Sequence, residues 1–81
     1  MTNKQILRYK NIVADALNSY KWLHNGKRPQ YIAMTLELYK IVTGERIFKN
    51  NSKIYGVNIK LIEEKGRKFY LIEQLYDVDV I

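Results

Sequence analysis

The sequence contains no cysteine, one proline, four glycines and one histidine. Without cysteine there is no disulfide, no thiolate metal site and no cysteine nucleophile. With His24 the only imidazole, a transition-metal centre would need carboxylates for its remaining ligands. No glycine pattern cradles a phosphate or a dinucleotide. No apolar run approaches the ~18–20 residues that span a bilayer, and the first residues lack the apolar centre of a secretory leader. Small secreted domains usually depend on disulfides, so the expected compartment is the reducing cytoplasm.

Acidic side chains are also few. There are 8 Asp and Glu against 14 Lys and Arg, a formal charge of +6. Residues 1–53 hold ten basic and three acidic side chains, whereas residues 54–81 hold four and five. The carboxylates form no acid/base pair: Glu63 and Glu64 sit among Lys65, Arg67 and Lys68, while Asp77 and Asp79 share one face of a terminal β segment. Ser19 and Ser52 have no neighbouring base. A chain without paired catalytic groups is expected to be a non-catalytic protein with no cofactor and no metal.

What is present is apolar periodicity. The hydrophobic fraction is 47%, with seven Tyr, two Phe and one Trp. In 81 residues this makes one domain with a thin, aromatic-aliphatic core. Thr2 and Gln5 form a capping box before Ile6, Tyr9, Val13, Ala16, Tyr20 and Leu23, which fall on one helical stripe, and Asn25-Gly26 supplies a left-handed stop. A helix is predicted over 3–23, with Lys4, Arg8, Asn11, Asp15 and Asn18 outside. Trp22 falls off the stripe. It is either covered by residues 27–31 or free to anchor a partner.

Tyr31-Ile32-Ala33-Met34 reads as a buried strand, and Thr35 as the N-cap of a second helix over 36–43 that stops at Gly44. A basic, Asn-rich connector follows, in which Ile47 and Phe48 are the residues that would enter the core. Residues 54–62 then alternate, with Tyr55, Val57, Ile59 and Leu61 on one face. Residues 67–74 are read as their hairpin partner across a turn at Gly66, which puts Tyr70 and Ile72 on the core side and Ile62, Phe69 and Leu71 on the other. With Lys65-Gly66 as a two-residue loop, Glu64 would face Arg67 and Glu63 would face Lys68; a four-residue loop over 63–66 would shift the pairing by two residues. The alternating tail 76–81 would add a last strand or serve as an extended arm. The predicted fold class is α+β: an amphipathic N-terminal helix packed on a small, mainly antiparallel sheet in the order α-β-α-β-β.

Three binding modes follow. The Ile62, Phe69 and Leu71 face is too apolar for open solvent: it is either covered by a helix or, together with Trp22, holds a protein partner. A nucleic acid would be held by Lys27, Arg28, Arg46, Lys49 and Lys53, because cations neutralise phosphates while rings stack on bases. Two groups interleave the two residue types: Lys21, Trp22, Lys27, Arg28 and Tyr31, and Arg46, Phe48, Lys49, Lys53 and Tyr55. Self-assembly through sheet edges is the third mode.

The segment 28–39, continued by Ile54-Tyr55-Gly56-Val57-Asn58-Ile59 and Phe69-Tyr70-Leu71-Ile72, resembles a strand–helix–hairpin pattern of phage and prophage proteins of low-GC bacteria. Part of the peripheral domain of tailed-phage capsid proteins has this pattern. The resemblance covers about half of residues 1–81, and this chain is far too short to be a capsid protein. It implies a phage origin, a β-α-β-β segment and the role of a small accessory factor acting on a host or phage protein. None of its residues is a functional motif.

Overall fold

The computed structural model describes residues 1–80. Helix α1 (Asn3–Leu23) starts where Thr2 Oγ1 accepts from the Gln5 amide at 3.2 Å and Gln5 Oε1 accepts from the Thr2 amide at 2.8 Å. It stops where Asn25 and Gly26 take φ of 56° and 81°, and the Gly26 amide donates to the Lys21 carbonyl at 2.7 Å. Val13, Ala16 and Leu17 form its buried stripe, with Tyr9, Ile12 and Tyr20 partly covered. Leu23, expected on this stripe, is exposed instead, because the last turn runs beyond the core.

Strand β1 (Tyr31–Thr35) leads directly into α2 (Leu36–Thr43), capped by the Thr35 hydroxyl and stopped by Gly44 in the left-handed conformation. There follow β2 (Lys53–Ile54), β3 (Val57–Ile62), β4 (Lys68–Leu71) and β5 (Gln74–Asp77). The sheet order is β2-β3-β1-β4-β5. Only the β1–β3 pair is parallel. The molecule is therefore α+β, with its N-terminal helix on a mainly antiparallel sheet.

The strand pairing differs from the sequence-based expectation. Segments 54–62 and 67–74 form no hairpin, because β1 lies between β3 and β4 and pairs with both. Residues 63–67 instead pass across the end of β1, where the Thr35 hydroxyl accepts from the Lys68 amide at 3.3 Å as well as from Leu38 at 3.4 Å. The anticipated pairs of Glu63 and Glu64 with Lys68 and Arg67 do not form. Arg67 bonds instead to Glu37 at 3.1 Å, to Asp79 at 3.6 Å and to the Tyr9 hydroxyl. It thereby joins both helices to the segment after β5, and the Tyr9 bond, followed by the Glu37 bond, raises its already high pKa against a smaller opposing effect of desolvation.

This pairing reverses the predicted sides of β4. Met34 lies opposite Phe69, so Phe69 and Leu71 point to the helices with Ile32 and Ile59. Phe69 is 0% exposed and Leu71 3%, so neither belongs to a partner-binding face. Ile72, expected in the core, stands in the β4–β5 turn with φ 59°, and Tyr55 in the β2–β3 turn with φ 49°. Both are exposed.

In the connector, Phe48 packs edge-on against the buried Tyr39 ring at 5.2 Å, while Ile47 stays exposed. The final strand begins before residue 76 and ends at Asp77. Beyond it, the Val78 amide donates to the Arg67 carbonyl at 2.9 Å. Ile81, the end of the predicted tail strand, lies outside the described residues.

Candidate nucleic-acid interface

Both helices bury their apolar stripes on the same side of the sheet. The core gathers Val13, Leu17, Leu38 and Val42 from the helices with Ile32, Met34, Ile59 and Phe69 from the strands. Successive strand residues point to opposite faces. The other face, which no helix covers, is therefore built from the residues between these.

Its rows follow from the register. Lys53 of β2 lies beside Asn58 of β3, and Asn58 beside Tyr31 of β1. In the next row Lys60, Ala33, Tyr70 and Leu75 run across four strands. Beyond it stand Ile62 beside Thr35, and Lys68 beside Asp77. Two tyrosines thus occupy the two innermost antiparallel strands on this face. They stand in adjacent rows, offset diagonally by ~7–8 Å between backbones, with the small Ala33 directly opposite Tyr70.

The face carries three lysines, with Asp77 beside Lys68 and Glu64 at the Tyr70 hydroxyl. Lys53 and Lys60 are exposed and Lys68 is partly covered. The Lys60 ammonium sits 4.0 Å from the centre of the Tyr31 ring, a cation–π contact. The Tyr70 hydroxyl donates to Glu64 Oε1 at 3.1 Å, and this bond to a carboxylate raises the tyrosine's pKa above its ordinary value. The bond ties the Tyr70 hydroxyl to the loop after β3. Arranged in this way, the rings offer π faces and the lysines offer point charges, which is what stacking on unpaired bases and neutralising their phosphates require.

No family model, curated protein or solved structure matches the chain.

Of the residues nominated from sequence for nucleic acid, Lys53 lies on the open face. Arg28 sits at the β2–β3 turn, its guanidinium over the Gly56 Cα in the space a Cβ would fill. Lys27 is exposed just before it, and Arg46 and Lys49 are exposed on the connector between α2 and β2. Of the residues nominated for a protein partner, Trp22 is 87% exposed, so residues 27–31 do not cover it. Ile62 lines a shallow groove with Leu36, Leu61 and Glu63. His24 donates from Nδ1 to the Tyr20 carbonyl at 2.8 Å and stacks on the Tyr20 ring at 3.9 Å. Among the described residues no cluster of three or more metal-ligating side chains occurs, and no helix is long and apolar enough to cross a membrane.

Sequence reasoning missed Lys60, Lys68 and Tyr70 as site residues. A signal was available: Lys68 and Tyr70 alternate with the more apolar Phe69 and Leu71. In β1 the larger apolar Ile32 and Met34 alternate with Tyr31, Ala33 and Thr35, although Ala33 and Thr35 are themselves buried.

Proposed function

We propose that this chain is a non-catalytic binding protein whose open sheet face takes single-stranded nucleic acid. The observation that supports this reading is the placement of Tyr31 and Tyr70 on adjacent inner strands, bordered by Lys53, Lys60 and Lys68. Small sheets that bind single strands stack two or three bases on such rings, and every base has a face to stack, so recognition is tolerant of sequence. The lysines supply affinity that depends on salt. With about three phosphates neutralised, log K is expected to fall against log salt with a slope of about −2. Fluorescence anisotropy with a labelled pyrimidine oligonucleotide reads this slope, and Lys60→Ala reduces its magnitude by about 0.7. No detectable binding at low salt removes the reading.

A second reading rests on Trp22. An indole this exposed at the end of α1, beside the exposed Leu23, has the character of an anchor for a protein partner. On this reading the chain is a phage-type accessory factor acting on a host or phage protein. Trp22→Asp then leaves the fold intact and abolishes recovery of the partner. Undiminished recovery counts against it.

A further inference from the structure

Lys21, Arg28 and Tyr55 come from three separate segments, and the fold brings them to the rim of one cavity of about 190 Å3 between α1 and the β2–β3 turn. Its floor is apolar, made by Leu17 and Val57, both buried, with Ala14 beside them. Asn18 completes the wall. No carboxylate lines it. Among the described residues neither Lys21 nor Arg28 takes part in an ion pair, since both salt bridges belong to Arg67. Lys21 is nevertheless half-buried. Two cations and an amide over a partly desolvated floor form a site of one sign, where a bound anion is screened less than on the open surface.

The turn that closes the cavity is costly to form. Tyr55 takes φ 49° and Gly56 φ 79°, the left-handed pair of a two-residue hairpin turn in which asparagine or aspartate is usual at the first position. Here a bulky ring stands at that position, with its hydroxyl donating to the Lys10 carbonyl at 3.4 Å. This bond ties the ring, which lines the cavity, to α1. The glycine that follows leaves its Cα bare, and the Arg28 guanidinium occupies that space. Strained residues of this kind persist where the surrounding structure over-determines them, often at ligand clamps.

We propose that this cavity binds a phosphate monoester, with the Arg28 guanidinium and the Lys21 ammonium as its charged donors and Asn18 as a neutral one. Arg28 suits the role because its planar fork can engage two phosphate oxygens at once. The cavity opens on the helix side of the sheet edge, away from the tyrosine face. Its ligand is therefore separate from the stacked bases, and the proposal stands whether or not the sheet face binds nucleic acid. The phosphate has two sources: the 5′ end of an oligonucleotide or a small phosphorylated molecule.

The test begins with inorganic phosphate titrated into the full chain and followed by amide NMR at constant ionic strength. Saturable shifts are expected at Tyr55, Gly56, Arg28 and Lys21, with affinity weakened about tenfold or more in Arg28→Gln and unchanged in Tyr31→Ala. Lys21→Gln, on a different element, gives the same loss and serves if Arg28→Gln fails to fold. A second arm compares one oligonucleotide with and without a 5′ phosphate. Tighter binding of the phosphorylated strand, lost in Arg28→Gln, assigns the site to strand ends. Equal binding of the two strands, with the inorganic phosphate shifts retained, assigns it to small phosphorylated molecules. Phosphate that produces no saturable shift at these residues, or that binds both glutamine variants like the wild type, overturns the proposal.

Discussion

Phe69→Asp is expected to unfold the protein. Phe69 is 0% exposed and stacks on Tyr76 with ring centres 4.7 Å apart and planes 5° from parallel. Met34 lies opposite it on β1. Truncation of such a residue to alanine alone costs about 3–5 kcal/mol. A domain of 81 residues holds about 4–12 kcal/mol in total. Aspartate adds the cost of an unpaired charge among Met34, Leu71 and Ile32, where no cation is placed to meet it. Far-UV circular dichroism and a collapsed amide spectrum read the outcome. A folded Phe69→Asp would mean that β4 presents its other side to the helices, as the sequence-based hairpin required. Trp22, at the solvent-exposed end of α1, should tolerate the same change.

The second large effect is on binding. Tyr31→Ala with Tyr70→Ala is expected to reduce affinity for single-stranded nucleic acid by about 5- to 150-fold per ring, since each stacked base contributes ~1–3 kcal/mol. Stability should fall much less than for Phe69, because both rings lie on the face that no helix covers. Tyr31→Phe with Tyr70→Phe keeps the π faces and removes only the hydroxyls, including the Tyr70 bond to Glu64. This phenylalanine pair should therefore retain most of the affinity. Anisotropy titrations of both double variants at one salt concentration separate stacking from hydroxyl bonding. Equal affinity of the alanine pair and the wild type would place any bound strand elsewhere.

The parts of this fold that were legible in the sequence are those governed by neighbours along the chain. Thr2, Gln5 and Asn25-Gly26 bound α1, and Thr35 with Gly44 bounds α2, because caps and left-handed stops act within a few residues. Strand partners are chosen by contacts far apart in sequence. Gly66 between two apolar segments resembled a hairpin turn, yet β1, more than twenty residues earlier, takes the place between them. That one insertion moved Phe69 and Leu71 from a supposed surface into the core and turned Tyr70 outward. Lys68-Phe69-Tyr70-Leu71 already alternates polar with apolar, and this local pattern was the better guide than the assumed turn. Tyr55 illustrates a different limit. It continues the alternation of Val57 and Ile59, but glycine follows it, and the chain turns there instead of extending. The phosphate cavity joins Lys21, Arg28 and Tyr55, whose proximity depends on how the end of α1 meets the sheet edge. Lys21 and Arg28 fall in one basic group along the chain, but nothing in the sequence puts Tyr55 beside them.

On the reading proposed above, the face opposite the helices is the binding surface. Mapping amide shifts while titrating an unstructured pyrimidine oligonucleotide lacking a 5′ phosphate tests it directly. Perturbations are predicted to concentrate at Tyr31, Ala33, Asn58, Lys60, Lys68 and Tyr70. Shifts confined to the outer side of α1, at Lys4, Arg8, Asn11 and Asp15, or absent throughout, would contradict it.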